Sequence, residues 1–220
     1  MRTSKRTSLV YRMWTKRIPR CLSAFSLIEL GIVLLIVGVI VGAVFKGQDL
    51  LQAAKINSLL DDIRRYKNAI LMYQQTYGEW PGDDGKASVH LTNATNGNGD
   101  GIVTDGDEML VWKHLAAAGS LSHGNPPTSK LGGRYRVTSN LSENLQGTYL
   151  ILGQGAEAKG GLLTPKQAQA LKQRADDGKA NEGIIQFTEG DGASSGDCVV
   201  SEAFNTTHDR PTCLMAVRIS

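Results

Sequence analysis

FSLIELGIVLLIVGVIVGAVF, residues 25–45, carries one charged side chain, Glu29, in 21 residues. At about 1.5 Å of rise per residue, a helix of that length spans roughly 32 Å, enough to cross a hydrocarbon core. Gly31, Gly38 and Gly42 interrupt the aliphatic run. Gly38 and Gly42 form a G-x-x-x-G pair, which lets another helix approach closely in lipid. A cleaved secretory signal would have a shorter apolar region ending in an A-x-A-like site. This run is long and continues into a helical pattern, so it reads as retained. A carboxylate at the depth of Glu29 costs about 3 kcal/mol on insertion scales, which marks it as functional and in need of a cationic or hydrogen-bonding partner.

Upstream, residues 1–24 hold Arg2, Lys5, Arg6, Arg12, Lys16, Arg17 and Arg20 and no acid. Lys and Arg stay on the inner side during insertion, so this end reads as a cytoplasmic flank. The formal charge of +3 is therefore uneven: the remainder has 17 basic against 21 acidic residues. A basic groove for nucleic acid is not indicated for that remainder. A cut before Phe25 would give each subunit an amino-terminal cation in the same layer as Glu29. The Glu29 of one subunit could then pair with the terminus of a neighbour, a head-to-tail contact that does not close and so builds filaments.

Ala24-Phe25-Ser26-Leu27-Ile28-Glu29-Leu30 behind a short basic leader resembles the prepilin cleavage and methylation signal of type IV pilins and type II secretion pseudopilins. The resemblance implies cleavage between Ala24 and Phe25, N-methylation of Phe25, and a role in assembly for Glu29. The family normally has Gly before the cut; here Ala24 keeps that residue small. The resemblance also implies several partners: a prepilin peptidase, identical or related subunits in a helical filament, and an inner-membrane assembly platform.

Downstream, apolar residues recur at helical spacing: Ile56, Leu59, Leu60, Ile63, Tyr66, Ile70, Tyr73 and Tyr77. Lys55, Asp61, Asp62, Arg65 and Lys67 fall on the opposite face. The pattern predicts one helix from about 25 to 77, stopped by Gly78 and Pro81. Residues 82–106 read as a polar, Gly-rich loop. Within it the spacing of Asn96, Asn98, Asp100, Gly101, Ile102 and Asp107 matches the oxygen ligands, glycine and backbone carbonyl of a calcium loop. Asn at the first position and Asp at the last reduce ligand charge and reach. The other reading is a turn-rich loop in which Asn and Gly serve positive φ angles.

A helix is predicted over 108–118, with His114 a packed or surface histidine. Strands are predicted over 133–139, 148–152, 183–188, 198–201 and 214–219. Thr164 and Pro165 open a further helix running to about residue 177. Once the leader and Cys21 are gone, Cys198 and Cys213 remain as an even pair, either a disulfide or two buried free thiols. A closed loop of that size is worth roughly 3 kcal/mol in the chain-entropy model. Gly192-Ala-Ser194-Ser-Gly196 matches a nucleophile elbow, and Gly153 to Ala158 a dinucleotide fingerprint, but neither has the strand–helix context it needs. The histidines lack zinc spacing.

These readings predict an α+β fold: a long transmembrane and amphipathic helix packed on a mostly antiparallel head, the lollipop of pilin-like proteins. The leader occupies 1–24, the transmembrane half of the helix 25–45, its amphipathic half 46–77 and the head 78–220. The expected function is that of a filament subunit in a pilus or secretion pseudopilus, not an enzyme. It would be anchored in a bacterial inner membrane with a periplasmic head that is carried outward on assembly. No cofactor is required, and calcium is the one ion a motif points to. A minor tip subunit acting as a binding module, or an uncleaved membrane-anchored periplasmic protein, are the alternatives.

Overall fold

Nothing between Ser26 and Tyr77 breaks a helix, and the chain winds without interruption into α1, Leu27–Tyr77. The computed structural model describes residues 26–104, 106–142 and 145–220. Ala24 and Phe25 lie outside them. The chain divides between Gln48 and Asp49 into two units.

The first unit, as described, is the apolar part of α1. Its most apolar 18-residue window has no buried residue, and Leu27, Leu34, Leu35, Val39 and Phe45 are among its exposed side chains. Length and composition suffice for a membrane crossing.

The second unit is α+β. Its helices are the rest of α1, the single turn α2 (Ala87–His90), α3 (Glu108–Ala117) and α4 (Pro165–Ala175). Its strands are β1 (Arg134–Ser139), β2 (Thr148–Gly153), β3 (Ile185–Glu189), β4 (Val199–Val200), β5 (Ala203–Phe204) and β6 (Cys213–Arg218). Four of them form an antiparallel sheet in the order β1-β2-β6-β3, with Leu152 opposite both Tyr135 and Met215. The alternation along each strand sends Tyr135, Val137, Leu150, Leu152, Met215 and Val217 into the main core. Leu59, Ile63, Tyr66, Ala69, Ile70 and Tyr73 meet them there, a stripe at helical spacing on α1. Tyr66 stands edge-on to Trp112 at 5.6 Å and to Tyr135 at 4.9 Å. The other sheet face is apolar too: Tyr149, Ile151, Leu214 and Ala216 are covered by Leu145. That is why β2 is buried along its whole length.

α4 begins where its sequence says it should. The Thr164 hydroxyl accepts the Gln167 N–H, the Gln167 side chain accepts the Thr164 N–H, and Pro165 takes the first position. Its last turn holds Lys172, whose side chain is wholly buried. The ammonium donates to Asp176 at 2.7 Å and to the carbonyls of Glu182 and Ile185, and it pairs with Asp177 at 2.9 Å. Burial alone would raise the Asp176 carboxyl, but Lys172 and the Ile185 N–H outweigh it and hold it below the ordinary carboxylate value.

Two local expectations change. The 82–106 stretch is not loop throughout, since α2 lies inside it. The strand expected over 198–201 is a two-residue piece that turns back on β5. The turn residues Ser201 and Glu202 both have positive φ, 47° and 72°, at a site where Asn-Gly would be unstrained. Cys198 and Cys213 are joined in a disulfide and fully buried, which ties this hairpin to the start of β6. The residues between β3 and β4 form turns, so Ser194 has no helix behind it.

Removing the Lys172 cation strands the largely buried Asp176 carboxylate and the carbonyls of Glu182 and Ile185. Lys172→Met is expected to lower unfolding free energy by roughly 3 kcal/mol, and adding Asp176→Asn should restore part of it. Denaturant midpoints of the full chain in detergent check this; an unchanged midpoint for the single variant refutes the tie.

Candidate functional site

Two places carry the residues with candidate roles, one in each unit. In the first, Ser26 stands at the start of α1, and its hydroxyl oxygen accepts the Ile28 N–H at 3.3 Å. That is the behaviour of an N-cap. Glu29 follows in the first turn, where the helix dipole favours an anion. A Cβ added at Gly31, Gly38, Gly42 or Gly47 would meet nothing within 4 Å. Each glycine costs a helix up to about 1 kcal/mol relative to alanine, and no other described residue packs against it there.

The second place is the segment after α1. Pro81, Gly82, Asp83 and Asp84 are all buried. Gly82 has φ +95°, and a Cβ there would strike Val111 at 2.7 Å. Asp84 is the hub. Its Oδ2 accepts from the Tyr73 hydroxyl at 2.8 Å and from His90 Nε2 at 2.7 Å, and its Oδ1 accepts the Lys86 N–H at 2.8 Å. Burial pushes the Asp84 carboxyl up, but these donors outweigh it and leave it below the ordinary value. Tyr73, buried and donating to that carboxylate, is pushed well up and keeps its proton.

Asp83 is tied differently. Its two carboxylate oxygens accept the N–H groups of Asp100 and Gly101, each at 2.9 Å, and its carbonyl accepts that of Gly99 at 2.8 Å. Here burial wins over the N–H donors, so the Asp83 carboxyl lies above its ordinary value. The loop is thus wound onto a buried carboxylate. Gly97 closes it, its N–H donating to the Asp84 carbonyl at 2.8 Å and its Cα too close to Asp83 for any side chain.

The calcium-pattern residues occupy the outside of this winding. Asn96 accepts the Ser88 N–H, and Asn98 donates to Asp100 at 2.8 Å. Asp100 accepts the Ile102 N–H at 3.0 Å, while Asp107 is buried and accepts from Thr104. Asn98, Asp100 and Ile102 are therefore local neighbours. Among the described residues, no three His, Cys, Asp or Glu side chains converge as a metal cluster. Sequence reading missed Asp83, Asp84 and His90. The signal was two acids directly after a helix-ending Pro-Gly, where a solvated loop would need none.

His114 is packed, as expected, beneath the Tyr73 ring at 5.9 Å and 13°. A cleft of about 690 Å³ in the head opens beside β1 and includes Arg136, Thr138, Lys159, Glu189 and Asp191 in its wall. Arg136 there pairs with Glu108 at 2.6 Å.

No family model matches the chain and no curated protein matches it. Among solved structures, the chain is similar to the major type IV pilin PilA1 from Clostridium difficile, with a TM-score of 0.43 and 15% identity, over 77% of this chain and 96% of that one. No residue role passes between chains at that distance.

The Asp84 carboxyl is held down by the fold, so its contribution to stability is present above the ordinary carboxylate value and is lost as pH falls through the lower folded value. Asp84→Asn should cost about 2 kcal/mol at pH 7. The gap to the wild type should narrow in acid, below the ordinary carboxylate range. Thermal melts at pH 7 and pH 2.5 test this; a gap that stays constant would mean Asp84 acts by shape alone.

Proposed function

We propose that the chain is a structural subunit of a type IV pilus-like or type II secretion pseudopilus filament. The observation that carries this reading is α1, whose first part is fully apolar, uncovered and marked by one carboxylate, and whose second part is the spine of a folded domain. A protein that used the helix only as an anchor would have no need of Glu29 or of glycines that meet no other described residue.

In this reading a prepilin peptidase cuts between Ala24 and Phe25, and the Phe25 amine is methylated. The subunit waits in the bacterial inner membrane with its head in the periplasm, then passes through the assembly platform into a helical filament. Glu29 pairs with the Phe25 amine of a neighbour. Each charge then offsets the desolvation of the other. No nucleic acid takes part. The disulfide and the wound loop keep the head rigid during extraction.

The N-terminal mass of the protein from its native membrane is the first test. A terminus at Phe25 supports the reading, and an intact Met1 leaves a tethered periplasmic protein instead. Glu29→Val should leave membrane insertion intact and abolish recovery of sheared filaments, and filaments of normal yield would refute the pairing role.

We also propose that calcium binds through Asn96, Asn98, Asp100, Ile102 and Asp107. The N–H groups on these oxygens leave lone pairs for a cation. Bound calcium would raise the melting temperature over that in a chelator, by an amount that grows with the logarithm of the ligand excess. Equal melting in both would remove the ion from the account.

A further inference from the structure

His114 is bonded at both ring nitrogens to backbone groups whose roles cannot change. Its Nδ1 lies 2.9 Å from the Gly82 nitrogen, which can only donate. Its Nε2 lies 2.7 Å from the Thr95 oxygen, which can only accept. The imidazole is therefore neutral, with its proton on Nε2. A second proton, on Nδ1, would set two N–H groups against each other in a fully buried place. Gly82 and Thr95 are the two arms of the segment that winds onto Asp83 and Asp84, so one side chain on α3 pins both.

We propose that His114 is an acid-sensitive latch: the neutral ring holds the 82–104 loop closed on the head, and protonation of Nδ1 turns the Gly82 N–H away and releases that arm, while Nε2 keeps its bond to Thr95. The proton arrives from solvent as the loop lifts, and no bond other than hydrogen bonds changes. Because the closed state excludes that proton and the open state takes it, acid favours opening.

The surrounding groups sharpen the sign. From α1, Tyr73 covers the ring and keeps its proton, and Tyr77 stacks on His90. From the loop, His90 Nε2 lies 2.7 Å from Asp84 Oδ2. Asp83, whose carboxyl burial raises, binds its proton more readily when closed. Asp84, held low, titrates in stronger acid. On α3 itself, Asp107 is bonded to Thr104, Lys113 is exposed, and Glu108 is paired with Arg136 of β1. Between pH 7.5 and 5, His114 is thus the group whose protonation opens the loop.

The test is amide hydrogen exchange of the full chain in detergent from pH 7.5 to 5, corrected for intrinsic rates and read at Gly97 and Gly99, whose N–H groups close the loop. Protection in the wild type should fall by up to about tenfold per pH unit below the imidazole range, the slope of one proton. His114→Gln offers an acceptor and a donor but no titration, and should remove the slope. His90→Asn should keep it. Flat wild-type protection, or a slope that survives His114→Gln, overturns the latch. Should His114→Gln fail to fold, ¹⁵N shifts of the wild-type imidazole decide: a doubly protonated ring beneath a protected loop refutes the proposal.

Discussion

The buried stripe of α1 from Leu59 to Tyr73 is the contact on which the second unit is organised. The inner sheet face and α3 both close on this helix face, and Tyr66 alone touches an aromatic ring from each. Each large apolar side chain of the stripe is worth about 1.5–3 kcal/mol of burial. The same helix carries a longer apolar run before it that no described residue covers, long and apolar enough to cross a membrane.

The segment that follows shows how a stretch poor in apolar side chains can still be fixed in place. Ala87, Leu91 and Val103 give it three anchors in the core, with Ala94 packed against them, and most of the rest is polar. Burying Asp83 and Asp84 would be prohibitive for bare carboxylates, and it is sustained because every oxygen meets a backbone N–H, a hydroxyl or an imidazole. The result is a loop fixed by a few buried apolar side chains together with hydrogen bonds to two buried carboxylates.

The C-terminal third solves the same problem twice more. Between β3 and β6 there is only a two-residue hairpin, and its strained Ser201–Glu202 turn gains nothing locally. The Cys198–Cys213 bond and Phe204, edge-on to Phe187 at 5.3 Å, hold it against the sheet. Lys172 does the equivalent for residues 176–185 by gathering carboxylates and carbonyls around one ammonium.

What the sequence determined by itself was each element whose cause is local. The apolar run with its lone Glu29, the 3.6-residue stripe of α1, the Thr164–Gln167 cap and the alternating strands were all legible, because periodicity and capping act within a few residues. The cleavage and methylation assignment, Ala24 and Phe25, rests on sequence alone, since those residues lie outside the described part. Only the tertiary structure decided that β6 lies between β2 and β3, that Asp83 and Asp84 are buried, and that His114 is held as one tautomer. Each depends on groups tens of residues away in the chain, and desolvation and hydrogen-bond partnership are set by what arrives there in space.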